Sequence, residues 1–169
     1  DGDRNRRYQS DEPMLELLGE VRGRRVIDLG SGNGYLCRKL ARAGALMTGV
    51  ELSDRFLQIA MEREGQDPLG ITYRHGSASQ MCFLPDSYFD KAVSNYVLMD
   101  VKDYNGALRE VFRVLRRGGP FVVVLSHPCF MSDQAGWVTP APDSPRLEDR
   151  SAWRSDLSRS FPLPDFHHF

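Results

Sequence analysis

The fold of this chain is decided by the segment Val26-Ile-Asp28-Leu-Gly30-Ser-Gly32-Asn-Gly34. A short β-branched run leads into three glycines at alternate positions, and apolar residues at helical spacing follow, which predicts a buried strand, a tight turn and a helix. Glycines let the backbone turn sharply and let a ligand approach without meeting a Cβ atom. The helix start adds unpaired N–H groups, so the segment predicts a loop that binds a nucleotide-like ligand.

Two features of this loop narrow the choice of ligand. Its glycines follow a G-x-G-x-G spacing, whereas dinucleotide-binding loops have G-x-G-x-x-G. Asp28 stands on the strand just before the glycines, where its charge would repel a pyrophosphate and would suit a ligand that carries an ammonium group. The alternative is a strand-end carboxylate that only bonds loop amides.

A second acidic residue ends the next predicted strand. Glu51 lies in the run Thr48-Gly-Val-Glu51-Leu-Ser53, about 20 residues past the glycine loop, where a carboxylate can accept hydrogen bonds from two ribose hydroxyls. This position fits a nucleoside ligand, NAD included. The alternative is a solvated acid at the start of a helix.

Strand and helix patterns alternate from about residue 11 to residue 120. We predict strands at 25–29, 45–50, 70–74, 88–94 and 121–125, and helices that begin at Asp11, at Tyr35, at Ser53 or Asp54, and at Asp103. This alternation predicts an α/β fold with a doubly wound, mostly parallel sheet. The run 121–125 is the most apolar strand, so we expect it to be central or covered on both faces. The helix from Asp103 should bury an apolar side that includes Val111 and Phe112.

Composition limits the class of protein. The chain has 169 residues, of which 41% are hydrophobic and 27% charged, and its formal net charge is −1, which fits one globular domain and gives no basic field for nucleic acid. Three scattered cysteines predict no metal site, no disulfide framework and a reducing compartment. Because no run approaches the about 20 apolar residues of a membrane helix and no signal peptide opens the sequence, we predict a cytoplasmic protein without a membrane partner.

Together these residues resemble the class I S-adenosylmethionine-dependent methyltransferase family. The likeness starts with VIDLGSGNGYL and GVELS, continues through the runs 76–90, 94–100 and 110–119, and covers roughly residues 8–130. It implies a Rossmann-like methyltransferase fold, S-adenosylmethionine as cofactor and S-adenosylhomocysteine as product. It also implies methyl transfer to an oxygen or nitrogen of a small-molecule acceptor, and it leaves a homodimer open.

Positions that match the family imply a cofactor site made of the glycine loop, the two acids and the residues after the third and fourth strands: Tyr8, Asp28, Gly30, Ser31, Gly32, Gly34, Glu51, Leu52, Ser77, Ala78 and Asn95. Asp28 would face the ammonium group of the cofactor, and Glu51 its ribose. Relatives often carry Asp in place of Ser77 to hold the adenine amine. Since Ser77 is shorter and uncharged, the Ala78 backbone is the better candidate here. Tyr8 would close over the cofactor or is an exposed tail residue.

The acceptor should lie beyond the carboxyl ends of the strands, where the strand order reverses. Asn95 would lie there near the sulfonium or the methionine carboxylate, and Tyr96 and Met99 would shape the pocket wall. His127 is the best candidate for a general base, because its ordinary pKa lies near neutrality. A structural histidine is the alternative. Asp100 could orient or deprotonate the acceptor, or it could cap the next helix.

The end of the sequence has a different character. Prolines and both tryptophans gather there, so we divide the chain into a methyltransferase domain at 1–130 and a Pro- and Trp-rich tail or lid at 131–169. Similar enzymes follow the fifth strand with a helix and an antiparallel strand pair, and no such pattern follows Phe130. We therefore predict a truncated chain without the C-terminal antiparallel hairpin, in which the strand at 121–125 would be an exposed apolar edge.

Two rival functions remain open from the sequence. An NAD-dependent oxidoreductase is compatible with Glu51, although the glycine spacing and Asp28 oppose it. A non-catalytic, cofactor-binding subunit of the same fold would explain the missing hairpin and the departure at Ser77.

Overall fold

The computed structural model describes residues 10–125, all of which belong to one compact unit. The strands are β1 (Arg25–Leu29), β2 (Leu46–Glu51), β3 (Thr72–His75), β4 (Lys91–Asn95) and β5 (Phe121–Val124). The helices are α1 (Glu12–Leu18), α2 (Tyr35–Arg42), α3 (Asp54–Gln66) and α4 (Tyr104–Val114), and a short 3-10 helix covers Leu98–Asp100. Each predicted element is present, with bounds that differ by a few residues.

The five strands form one all-parallel sheet in the order β3-β2-β1-β4-β5. The chain winds outward from β1 to β3 and then returns to the other side of β1 with β4, which confirms the doubly wound α/β prediction. The order therefore reverses between β1 and β4, and this is where ligands bind in open α/β sheets. Asp28 pairs in register with Gly49 of β2 and with Val93 of β4.

Helices cover both faces of the sheet, and the side chains of β1 alternate between these two faces. Ile27 and Leu29 pack with Phe89 and with α4 residues such as Val111. On the other face, Val26 packs with residues of α1 and α2. Asp28 follows the period of Val26, so its side chain points toward α2.

Three of the four helices have a Ser or Asp at the N-terminal capping position, and two of these residues make a capping hydrogen bond. Ser53 accepts a hydrogen bond from the Phe56 amide at 3.5 Å, and Asp103 accepts one from the Gly106 amide at 2.8 Å, as capping residues do. Asp11 makes no cap hydrogen bond. Its buried carboxylate instead accepts from the Tyr35 hydroxyl at 2.5 Å and from Lys39 Nζ at 2.7 Å.

Two expectations about burial need correction. β5 is not central, because in the described sheet it is an outer strand paired with β4, and three of its four side chains are only half-buried. It is nonetheless packed on both faces, since Phe121 and Val123 contact one core cluster and Val122 and Val124 contact the other. Its apolar composition indicated burial but carried no information on strand order. Phe112 was expected on the packed side of α4, yet 77% of its surface is exposed, whereas its neighbour Val111 is 1% exposed.

The prediction of a missing C-terminal hairpin falls on residues outside the described part of the chain. No helix among residues 10–125 combines the length and apolar character that a membrane crossing requires.

Candidate cofactor site

The glycine loop has the backbone that its sequence predicts. Gly30 and Gly32 have φ angles of 68° and 54°, in the left-handed region that favours glycine. A Cβ atom on Gly30 would overlap the Val97 side chain, so the loop packs tightly there. A Cβ atom on Gly32 would meet nothing within 4 Å. Gly32 therefore presents bare backbone to open space, as a ligand-binding loop does.

Glu51 ties this loop to the end of β2. Its Oε2 accepts a hydrogen bond from the Gly32 amide at 2.8 Å, and its Oε1 accepts one from the Ser53 amide at 2.8 Å. The residue is 9% exposed. A carboxylate oxygen has two acceptor sites, so each oxygen retains capacity for a further donor. The sequence predicted a ribose role for Glu51 but did not reveal the bond to Gly32.

Asp28 is a buried carboxylate whose side chain makes one hydrogen bond within residues 10–125. It is 2% exposed, and Cys37 of α2 donates its thiol hydrogen to Asp28 Oδ2 at 3.3 Å. Burial raises the pKa of Asp28 from 3.8 to about 7, the thiol hydrogen bond opposes this rise, and the nearby charge of Glu51 adds to it. Among residues 10–125, no lysine or arginine lies within salt-bridge distance of Asp28. The anion therefore has no cationic partner from the described protein.

Two clefts meet at Gly30. The smaller, of about 310 Å³, is lined by the acid, the loop and three aromatic rings: Asp28, Gly30, Ser31, Gly32, Asn33, Tyr35, Leu36, Phe56, Asn95 and Tyr96. The larger, of about 640 Å³, lies on the side of β2 and the segment after β3, with Val50, Leu52, Gly76, Ser77, Ala78, Ser79, Gln80, Val97, Asp100, Val101, Lys102 and Asp103. Together they offer an elongated ligand two compartments.

The larger cleft has apolar walls and a short polar edge. Leu52 and Ala78 contribute apolar surface, and the Ser77 hydroxyl shares a hydrogen bond with the Ser79 hydroxyl at 2.8 Å. Asp100 also lines this cleft. The structure therefore groups Asp100 with Ser77 and separates it from Asp28 in the smaller cleft.

Polar atoms without partners lie in the smaller cleft. Asn95 Oδ1 and Ser31 Oγ are buried, and neither has a hydrogen-bond partner among the described residues. A buried polar atom without a partner costs free energy, so both atoms suit a ligand with hydrogen-bonding groups. Tyr96 follows Asn95 with a φ of 58°, an uncommon left-handed conformation for a tyrosine.

Three further predicted site residues do not line either cleft within the described part of the chain. Gly34 lies behind the loop, where a Cβ atom would press on the Tyr73 ring. Tyr8 and His127 lie outside the described residues. Sequence reasoning missed Tyr35 and Phe56 as cleft residues. Tyr35 directly follows the last glycine of the loop, which was an available signal, but Phe56 comes from α3 and reaches the cleft only through the tertiary fold.

The donor set fits an amine-bearing nucleoside. The smaller cleft supplies an uncompensated anion and unpaired acceptor atoms, Gly32 leaves space beside the backbone, and Glu51 stands at the strand end with acceptor capacity. No group of three or more His, Cys, Asp or Glu residues suited to a metal ion occurs within 10–125.

Comparison with known proteins agrees with this description. A methyltransferase domain family matches residues 27–123. The demethylmenaquinone methyltransferase of Tropheryma whipplei is 38% identical over 114 residues, which are 67% of this chain and 46% of that protein. The Vibrio vulnificus ubiquinone/menaquinone biosynthesis C-methyltransferase is 35% identical over 69% of this chain and 46% of its own. The Bordetella avium ubiquinone biosynthesis O-methyltransferase is 31% identical, with 64% and 45% covered. The chain thus spans less than half the length of these curated relatives.

A solved structure extends the likeness to three dimensions. The S-adenosylmethionine-dependent methyltransferase from Mesorhizobium loti superposes with a TM-score of 0.64 at 36% identity, over 70% of this chain and 54% of its own. The family and this neighbour imply S-adenosylmethionine as the cofactor. By its sheet, its glycine loop and these matches, the chain belongs to the class I S-adenosylmethionine-dependent methyltransferase family.

Proposed function

We propose that the chain transfers a methyl group from S-adenosylmethionine to an oxygen or nitrogen of a small-molecule acceptor. One observation carries the proposal: a buried carboxylate, Asp28, faces a cleft that joins a second cleft at a glycine loop, and no described cation neutralises it. A ligand with an ammonium group at one end and a nucleoside at the other complements both compartments.

We assign the parts of the cofactor by the chemistry of each compartment. The methionine part belongs in the smaller cleft, with its ammonium group toward Asp28. The ribose belongs beside Glu51, whose oxygens accept hydrogen bonds. The adenine belongs in the larger cleft, between the apolar surfaces of Leu52 and Ala78 and near the hydroxyl of Ser77. In this assignment Tyr8 remains a predicted cover for the cofactor.

The protein's task in such a reaction is alignment. When bound, S-adenosylmethionine supplies an electrophilic methyl group on a sulfonium. The chain has to orient the acceptor and exclude water from it. Tyr35, Phe56 and Tyr96 give the smaller cleft aromatic walls that suit a flat acceptor. A general base is needed only when the acceptor must lose a proton, and His127 and Asp100 remain the candidates.

The names of the relatives bear on the acceptor atom. The Bordetella avium relative is an O-methyltransferase, which supports transfer to oxygen. The Vibrio vulnificus relative is a C-methyltransferase, which makes a ring carbon the second candidate. Both are named for quinone biosynthesis, so hydroquinones are the first acceptors to try.

Cofactor binding is the first experiment. We expect S-adenosylhomocysteine to bind in isothermal titration calorimetry and NADH not to bind. Quenching of the protein fluorescence by NADH, with no heat from S-adenosylhomocysteine, would instead favour an oxidoreductase.

Methyl transfer is the second experiment. Methyl-labelled S-adenosylmethionine is incubated with catechols, hydroquinones and primary amines, and the labelled products are located by mass spectrometry and NMR. Label on oxygen or nitrogen supports the proposal, and label on carbon replaces it with the second candidate. Cofactor binding without product across the panel favours a non-catalytic subunit of the same fold.

We also propose a cytoplasmic protein that works on a small molecule without a nucleic-acid or membrane partner. The net charge of −1 supports the exclusion of a nucleic-acid partner, because it provides no overall attraction to phosphates.

The oligomeric state is a separate question. Light scattering coupled to size-exclusion chromatography would decide between a monomer and a homodimer.

A further inference from the structure

Cys37 lies behind the glycine loop and lines neither of the two clefts. It belongs to α2, is 0% exposed, and reaches Asp28 Oδ2 with its thiol at 3.3 Å. No sequence pattern connects the two residues, which lie on different elements. The fold brings them together because β1 directs Asp28 toward α2.

The groups around Asp28 explain why this contact matters. Asp28 is flanked in the sheet by uncharged Gly49 and Val93, and Glu51 of β2 adds a negative charge. On the helix side Cys37 is the donor, and the negative charge of Glu64 of α3 acts on that thiol. The Tyr73 phenol of β3 lies near enough to interact electrostatically with Cys37 and Asp28. Burial therefore favours the neutral acid, and the Cys37 hydrogen bond counteracts this preference.

We propose that Cys37 is a positioning residue, whose thiol donates to Asp28 and keeps that carboxylate ionised and oriented for the ammonium group of the cofactor. The inference rests on the proposed placement of that ammonium group beside Asp28. An acid that is protonated cannot form an ion pair with a cation, so the charge state of Asp28 controls affinity for the cofactor.

A thiol is suited to this task because it is a weak, neutral donor. Burial, together with the charge of Asp28, raises the pKa of the Cys37 thiol well above its ordinary value, so the thiol keeps its proton. A lysine or arginine in its place would favour the ionised form of Asp28 more strongly. It would also form an ion pair with that carboxylate and so compete with the ammonium group of the ligand. Cys37 stabilises the carboxylate and leaves its charge available.

The test is the pH dependence of S-adenosylhomocysteine binding, measured by calorimetry between about pH 6 and about pH 8.5, where Asp28 changes charge and the ligand amine remains largely protonated. Wild-type affinity should rise with pH as Asp28 ionises. Cys37→Ala should move the midpoint upward by about half a pH unit and weaken binding about twofold near neutrality and about threefold at the acidic end of this range, the effect of losing one weak hydrogen bond to a charged group. Cys37→Ser, which retains a donor, should restore the midpoint.

Controls separate this role from a structural one. Cys82 is an exposed free thiol outside both clefts, so Cys82→Ala should leave the profile unchanged. If Cys37→Ala unfolds, Cys37→Val removes the donor while filling the space. A uniform loss of affinity at every pH, or a serine variant that behaves like alanine, overturns the role of Cys37.

Asp28→Asn distinguishes failure of this inference from failure of the proposed site. Its pH profile should be flat and its affinity low. If Asp28→Asn binds like wild type, the placement of the cofactor is wrong. If Asp28→Asn loses affinity but Cys37→Ala leaves the midpoint in place, only the role of Cys37 is wrong.

Discussion

At the scale of single residues, we expect the proposed cofactor site to reduce the stability of the ligand-free protein in favour of binding. A buried carboxylate without a cation destabilises the ligand-free fold, and such local costs are common at functional sites. Asp28 and the left-handed backbone at Gly32 are both of this kind. Two predictions follow from these two residues.

Asp28→Asn should stabilise the ligand-free protein while it weakens cofactor binding. Because burial raises the pKa of Asp28 to about 7, its contribution to stability is complete below the unfolded pKa of 3.8 and is lost as the pH rises to about 7. The asparagine variant avoids that loss, so the difference in unfolding free energy between it and wild type should grow in favour of the variant by about 2–3 kcal/mol from pH 5 to pH 8. Urea unfolding at pH 5 and pH 8 checks this, and a difference between the proteins that does not grow with pH contradicts it.

Substitutions at two glycines of one loop should have opposite signatures. Gly30→Ala places a Cβ atom against the Val97 side chain, which would have to move. This substitution should lower the free energy of unfolding by about 2–4 kcal/mol. Gly32→Ala meets open space, so its cost should be limited to about 1 kcal/mol for the left-handed backbone. Its methyl group would occupy the ligand's side of the loop. Gly32→Ala should therefore fold, as shown by thermal unfolding, yet bind S-adenosylhomocysteine at least about tenfold more weakly.

At the scale of elements, α4 holds the segment after β3 from behind. Arg113 donates to the carbonyl oxygens of Met81 at 2.7 Å and Leu84 at 2.8 Å and to Asp86 at 2.5 Å. It also binds Glu110, which in turn accepts from the Met81 amide at 2.6 Å. Gln80, immediately before Met81, lines the larger cleft, so these bonds fix one wall of the proposed adenine compartment.

Arg113→Ala should therefore lower both stability and cofactor affinity. Removal of several charge-assisted bonds to backbone should cost about 2–3 kcal/mol in the free energy of unfolding and weaken S-adenosylhomocysteine binding several-fold. Arg109 on the same helix is the matched control, because it is 73% exposed in its side chain and only 3.9 Å from Asp103. Arg109→Ala should change stability by less than about 0.5 kcal/mol. Equal effects of the two variants, measured by urea unfolding, would contradict the role of α4.

At the scale of the whole molecule, α4 buries only part of the apolar side that its periodicity predicted. Val111→Ala should cost about 2 kcal/mol, because the residue is 1% exposed between α4 and the sheet. Phe112→Ala should cost less than about 0.5 kcal/mol, since 77% of its surface already contacts solvent. Chemical unfolding of the two single variants compares them directly. A larger loss at Phe112 would mean that this face is covered in solution.

Local patterns were enough to predict most of the fold and part of the site. The glycine loop, the strands and helices, and the helix starts at Ser53 and Asp103 depend on residues close in sequence. Asp11 stands at the predicted start of α1 but makes no capping hydrogen bond, because its carboxylate accepts from Tyr35 and Lys39 of α2 instead. The sequence did not predict the outer position of β5, because an apolar run indicates that a strand is buried and not which strands pair with it.

The sequence by itself determined the alternating elements, the loop that bends between β1 and α2, and the placement of Asp28 and Glu51 near the ends of β1 and β2, because these follow from glycine geometry and short-range periodicity. Only the tertiary structure decided that Glu51 holds Gly32, that Cys37 meets Asp28, and that Asp100 lies in the larger cleft. The physical reason is that each of these contacts joins separate elements of the chain. Their distances depend on the order and register of the parallel strands and on the packing of helices against them, which no local pattern encodes.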